Sequence, residues 1–221
     1  MTLCDRLFKS PVGAKMLMAV TGLMLTGFVL AHLSGNLLIY AGRDVFNAYA
    51  KGLHSLGALL WVARIGLLGA FALHLYLAIT LTTQNRAARP VGYAHEATMQ
   101  ATLASRYMIH TGLLMFAFIV YHLAHYTFRV VNPEFASLEE GDVYGMVVAG
   151  FSSPAVSAFY VLSMIALAAH LRHGVSSLFQ SLGLYHGNLN PVTDKLGPIV
   201  ALIVLVGFSS IPIAVLTGLV K

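Results

Sequence analysis

The chain is expected to fold as an all-α integral membrane protein, one domain over residues 1–221, with five transmembrane helices. Three observations predict this. The composition is 58% hydrophobic and only 10% charged, against about 25% charged in soluble domains, and the mean hydropathy is +0.79. The apolar residues gather in continuous runs long enough for a bilayer core, which needs about 20 residues of helix. None of these runs shows the alternation of a membrane β-barrel. A soluble globular protein is thereby excluded. The net charge of +5 is read as loop charge of a membrane protein, with no nucleic-acid partner expected.

The runs are, in order, roughly Lys15–Ala41, Gly57–Thr83, Tyr107–Val131, Pro154–Gln180 and Leu196–Val220. The first is too long for the 7–15-residue apolar core of a cleavable signal, and no small-residue cleavage pattern follows it. In the fifth, Pro198 suits an opening turn and Pro212 a kink. Seven basic residues (Arg6, Lys9, Lys15, Arg86, Arg89, Arg106, Lys195) fall on the N-terminal side of the membrane. Four (Arg43, Lys51, Arg129, Lys221) fall opposite, with the acidic stretch Glu134–Asp142. The positive-inside rule then puts the N-terminus in the cytoplasm.

Cys4 is the single cysteine, so this chain offers neither an internal disulfide nor thiolates for an iron–sulfur cluster. Metal chemistry falls to the ten histidines. His32, His74, His122 and His170 each occupy a different one of the first four spans, each a few residues past its midpoint. Because neighbouring spans are antiparallel, His32 and His122 share one depth, toward the outside, and His74 and His170 another, toward the cytoplasm. The layers come out on the order of 12 Å apart. Imidazoles paired across a bundle can hold one haem iron from both faces, so two pairs predict two bis-histidine b-type haems suited to electron transfer. A lone intramembrane histidine is as often an interhelical hydrogen-bond partner; four in two layers are much less expected by chance.

A repeat supports the pairing. Thr21-Gly22-Leu23 precedes His32, and Thr111-Gly112-Leu113 precedes His122 at the same offset; the second and fourth spans share Ala70/Ala166, His74/His170 and Leu75/Leu171. The Thr-Gly element is read as favouring His122. Gly27 and Gly35 near His32, Ala78 near His74, and Ala166 and Gly174 near His170 are small enough to admit a flat macrocycle, though small residues also pack helices without one. His125 and His173, three residues after His122 and His170, rival them by spacing alone. Their preferred role is supporting, as hydrogen-bond partners of haem propionates or a bound substrate. Arg64 and Arg172, inside spans, are candidates to face propionates at the outer and inner layers; snorkelling is the plainer role for Arg64.

These residues resemble a known family. Thr21-Gly22 to His32, Ala72-Leu73-His74, Thr111-Gly112 to His122, and His170-Leu-Arg-His-Gly174 with Gly183 thirteen residues after His170 are similar to the cytochrome b membrane anchor of succinate:quinone oxidoreductases. The likeness is to the single-chain, five-helix, two-haem type found in succinate dehydrogenases and fumarate reductases. It covers essentially the whole chain. The resemblance implies His32, His74, His122 and His170 as axial ligands, the Gly183 spacing selecting His170 over His173. It implies partner subunits on the cytoplasmic face of a bacterial inner membrane, a flavoprotein with FAD and an iron–sulfur protein. This chain would pass electrons between them and a membrane quinone, menaquinone being expected. Some members carry a glutamate two residues before the fourth ligand; here Ala168 stands there, and a proton route through it is not expected.

For the quinone, Ser34, Asn36, Tyr40, Asp44 and His54 gather toward the outer end of the first span and its connection, offering polar groups to quinone carbonyls. Arg6, Lys9, Arg86 and Arg89 are candidates to dock the iron–sulfur subunit, although the positive-inside rule accounts for them equally. Two other readings stay open. One is a haem-free, histidine-lined transporter, disfavoured because the acidic residues lie outside the predicted spans. The other is the di-haem anchor of a different respiratory dehydrogenase.

Overall fold

A computed structural model describes residues 10–88 and 103–221. The candidate docking residues Arg6, Lys9 and Arg89 lie outside the described residues, as do Cys4 and His95. All regular structure among the described residues is helical. Helix α1 covers Pro11–Leu37, α2 Arg43–Ser55 and α3 Ala58–Ala87. A single turn at Leu103–Arg106 precedes α4, Met108–His122, which widens into a π turn over Leu123–Thr127. Helix α5 covers Val143–Phe151, α6 Pro154–Ser181 and α7 Asn190–Leu216.

Among the described residues, five helices are long and apolar enough to cross a membrane: α1, α3, α4, α6 and α7. They match the predicted runs, with shifted ends. Helix α1 starts where Ser10 caps it, its Oγ accepting from the Gly13 N–H at 3.0 Å with Pro11 in the first turn. Both features suit a helix N-terminus. The largest correction is in the fifth span. Pro191 opens α7 at Asn190, so Pro198 lies inside the helix rather than in an opening turn, as Pro212 also does. Asp194, which precedes the apolar run beginning near Leu196, therefore sits near the start of that helix. The third span is shorter than its apolar run, because the backbone leaves the helix at Phe128 and Arg129 takes a positive φ of 57°.

Helix α1 packs on α3, α6 and α7; α4 packs on α6 and more sparsely on α3; α6 and α7 share the longest contact. The first four spans thus form a ring in which α1 faces α4, and α3 faces α6, across the middle. Gly197 makes the α6–α7 approach possible: a Cβ there would overlap the Arg172 carbonyl and come within 2.5 Å of Ser176 Oγ. Gly207 likewise admits Leu33 of α1. Leu33, Ala168, Leu171, Val175, Ala201 and Val204 fill the seam of α1, α6 and α7, whereas Leu59, Val62, Ile65 and Leu68 of α3 stay exposed, as a lipid-facing surface requires.

The connections 38–57 and 128–153 lie at one end, called here the upper end, and the end of α3, the start of α4 and the connection 182–189 at the lower end. Two helices that the apolar runs did not announce, α2 and α5, close the upper end. Asp142 caps α5, accepting from the Gly145 N–H at 3.0 Å. It also accepts from Asn47 Nδ2 at 3.0 Å and pairs with Arg43, while Asn47 Oδ1 accepts from the Tyr144 N–H at 2.9 Å. Burial pulls the Asp142 carboxyl upward, but hydrogen bonds from Asn47, Gly145 and Arg43 together hold it below the usual carboxylate range. This clamp ties the first upper connection to the second. Behind it, Ile39, Phe46, Tyr144, Val147, Phe151 and Tyr160 form an apolar core with the end of α7.

Candidate functional site

The four candidate ligands His32, His74, His122 and His170, one from each of the first four spans, fall in two layers inside the ring. In the upper layer His32 and His122 face each other across the α1–α4 diagonal, ring centroids 5.9 Å apart and planes at 82°. Phe28 stacks on the His32 ring at 5.4 Å, one turn earlier on the same helix face. Phe208 and Phe118 close the sides. In the lower layer His74 and His170 lie on the α3–α6 diagonal, beside Thr21 and Thr111.

The lower pair carries the clearest chemistry. Thr21 Oγ1 lies 3.0 Å from His74 Nδ1, and Thr111 Oγ1 lies 3.1 Å from His170 Nδ1. A threonine hydroxyl has one proton. That of Thr21 is directed at its own helix, to the Leu17 or Met18 carbonyl at 2.9 and 3.0 Å. That of Thr111 goes to Tyr107 or Met108 at 3.2 and 3.0 Å. The hydroxyl oxygens are therefore acceptors, and the imidazoles donate through Nδ1–H. With the proton on Nδ1, the Nε2 lone pair is left for a ligand role.

The two glycines of the Thr-Gly repeat belong to the same contact. A Cβ on Gly22 would stand 3.4 Å from His74 Cε1, and one on Gly112 3.5 Å from His170 Cε1. The repeat therefore receives the histidine of the following span, not the one downstream on its own helix. This corrects the reading of Thr111-Gly112 as support for His122. It also sets the layer spacing: His32 and His122 stand eleven residues beyond Thr21 and Thr111, about 16 Å along a helix, more than the ~12 Å expected from span midpoints. Thr111 reaches His170, while His173 lies half-buried one turn on.

His122 has a different partner. Tyr160 Oη of α6 lies 3.3 Å from His122 Nδ1 and 3.1 Å from His125 Nδ1, and His125 is only 1% exposed. Tyr160 was not anticipated; in the sequence it is one more aromatic in an apolar run. Asn36 donates to the His32 carbonyl at 2.8 Å and lies 3.4 Å from the ring nitrogens. Arg64 is exposed, its guanidinium over Trp61 at 5.1 Å, and Arg172 is exposed on α6. Gly35 is taken up by α2, since a Cβ there would lie 2.5 Å from Tyr49 Oη, and Gly174 stands beside Met108.

The residues expected to gather for a quinone divide. Asp44 and His54 share an upper cleft of about 600 Å³ with Arg43, Asn47, Glu139 and Glu140. Ser34 donates to its own helix at Ala31, Asn36 turns to His32, and Tyr40 donates to Ser210 of α7 at 2.8 Å.

The donor set fits a bis-imidazole haem. Two metal–nitrogen bonds of about 2 Å, with the ring radii added, place facing imidazole centroids roughly 6 Å apart, close to the 5.9 Å of the upper pair. Each layer offers two imidazoles that would serve as nitrogen donors to a haem iron.

A family model described as the succinate dehydrogenase/fumarate reductase transmembrane subunit matches residues 81–209. No curated protein and no solved structure matches the chain.

Proposed function

The chain belongs to the succinate dehydrogenase/fumarate reductase transmembrane subunit family, and from that premise we propose that it is a di-haem cytochrome b anchor carrying electrons between an iron–sulfur partner and membrane quinone. The observation that carries this reading is the pair of histidine layers, with the lower imidazoles committed to Nδ1–H by Thr21 and Thr111. Haem b, when bound, supplies a one-electron centre with both axial positions filled, suited to electron transfer rather than oxygen chemistry. His74 and His170 hold the lower centre, and His32 and His122 the upper one. Thr21 and Thr111 fix the lower rings, Tyr160 faces the upper ligand His122, and the apolar faces of four spans keep water from both.

The lower end, with Arg86, Arg106 and Lys195, lies toward the cytoplasm. There the iron–sulfur subunit docks, carrying with it the flavoprotein with its FAD. Quinone is handled at the upper end, where Asp44 and His54 offer groups that donate to quinone carbonyls or accept from quinol hydroxyls. Arg64 and Arg172 hold propionates only if their side chains turn inward from the exposed positions they occupy.

The test is a dithionite-reduced minus air-oxidised spectrum of the purified chain, with haem quantified as pyridine haemochrome. Two b haems per chain are expected. One should be lost in His32→Ala/His122→Ala, and the other in His74→Ala/His170→Ala. A folded, colourless chain from haem-supplied expression refutes the reading.

A further inference from the structure

Neither the sequence nor the electron path assigns a task to Tyr160, yet its phenol joins the half-buried His122 to the buried His125. It is held firmly. Phe118 lies edge-on at 5.1 Å and Phe151 at 4.9 Å. His125 is equally confined, stacked on Phe135 at 5.3 Å with planes 11° apart and against Tyr126 at 4.1 Å. Gly150 of α5 makes room for this pair, since a Cβ there would come within 2.5 Å of Tyr126 Oη and 3.1 Å of His125 Cε1. The π turn over Leu123–Thr127, closed by the Phe128 N–H on the Leu123 carbonyl at 2.8 Å, carries His125 into this position. Helices widen in this way at functional sites more often than elsewhere.

We propose that Tyr160 and His125 form a directed hydrogen-bond chain, His122 to Tyr160 to His125, that positions the upper axial ligand and lowers the potential of the upper haem. The proposal rests on the di-haem reading. Proton counting sets the direction. A His122 that ligates through Nε2 carries its proton on Nδ1 and donates it to Tyr160 Oη. The phenol's single proton then goes to His125 Nδ1, and both short contacts are satisfied. An acceptor that is itself donating onward accepts more strongly, drawing the His122 proton outward and making the imidazole a stronger donor to iron. The lower ligands end differently, on hydroxyls whose protons stop at backbone carbonyls. Tyr160 and His125 are positioning residues, and the two layers are tuned by separate chemistry.

The experiment is spectroelectrochemical titration at one pH, with low-temperature EPR of the low-spin ferric signals, on the purified full-length chain. Tyr160→Phe should raise one midpoint and shift one set of g values, leaving the other haem as in the parent. His125→Phe should move the same midpoint in the same direction by less, because His122 still donates to Tyr160. Thr21→Val should move the other midpoint. If Tyr160→Phe does not assemble, His125→Phe decides the question alone. The proposal is overturned if the decisive variant leaves both midpoints and both signals unchanged, or moves the midpoint that Thr21→Val moves. A parent chain without haem overturns the di-haem reading itself, and is recognised before any variant is made.

Discussion

Thr21 and Thr111 offer the sharpest test of how the lower site is held. Replacing either with valine keeps nearly the same volume and removes the hydroxyl that accepts from His74 at 3.0 Å or from His170 at 3.1 Å. A hydrogen bond of this kind contributes about 0.5–1.5 kcal/mol net. The middle of that range is about 1 kcal/mol. That corresponds to roughly fivefold weaker retention of the lower haem. Because accepting from Nδ1–H favours the oxidised centre, its loss raises the potential. If half of the bond energy distinguishes the two redox states, the rise is roughly 20 mV, taking 59 mV for a tenfold change in a one-electron equilibrium. The assay is haem content after detergent exchange, followed by redox titration, with Thr21→Ser and Thr111→Ser as restorations. Valine variants that fold, keep both haems as firmly as the parent and titrate at unchanged midpoints would refute the argument that these hydroxyls set the ring tautomer.

Three further outcomes follow from the geometry. Asp142→Ala should cost about 1–2 kcal/mol through loss of the α5 cap, read as a lower unfolding midpoint in detergent. Because the Asp142 carboxyl is held below its ordinary range, its stabilisation is present above the unfolded value near pH ~4 and is lost as pH falls through the lower folded value; Asp142→Asn should lack that acid-side loss. Gly197→Ala should destabilise by about 1–3 kcal/mol because the added methyl meets the Arg172 carbonyl, whereas Gly27→Ala, with no neighbour within 4 Å, should leave thermal unfolding unaffected by crowding. His54→Ala or Asp44→Asn should slow quinone reduction while both haem spectra persist; loss of the haems with turnover would remove these residues from the quinone site.

Much of this was legible before any coordinates. A span announces itself because lipid demands about 20 consecutive apolar residues, and all five helices long enough to cross lie where the runs placed them. Their ends were less legible. Pro191, not Pro198, opens the last helix, since an apolar run marks the hydrocarbon core while a helix continues until caps or prolines stop it. Helices α2 and α5 escaped notice for a related reason: at 13 and 9 residues they are too short to cross, and the runs were read only for crossing segments.

The histidines stood out because ionisable side chains inside a membrane are expensive, so the few present have a task. Partners were another matter. The Thr-Gly repeat could be seen along one strand of text, but its contact runs across to the neighbouring span, 53 residues away for Thr21 and 59 for Thr111. Tyr160 reaching His122 and His125, Tyr49 filling the space beside Gly35, and Arg43 pairing with Asp142 are of the same kind. Hydropathy and spacing determined where the five spans lie and which histidines share a layer, because both depend on position along one helix axis. Which atoms meet depends on how each helix is rotated against its neighbours. In a bilayer that rotation is set by close packing of glycines and side chains rather than by the apolar pattern, which is nearly the same on every face.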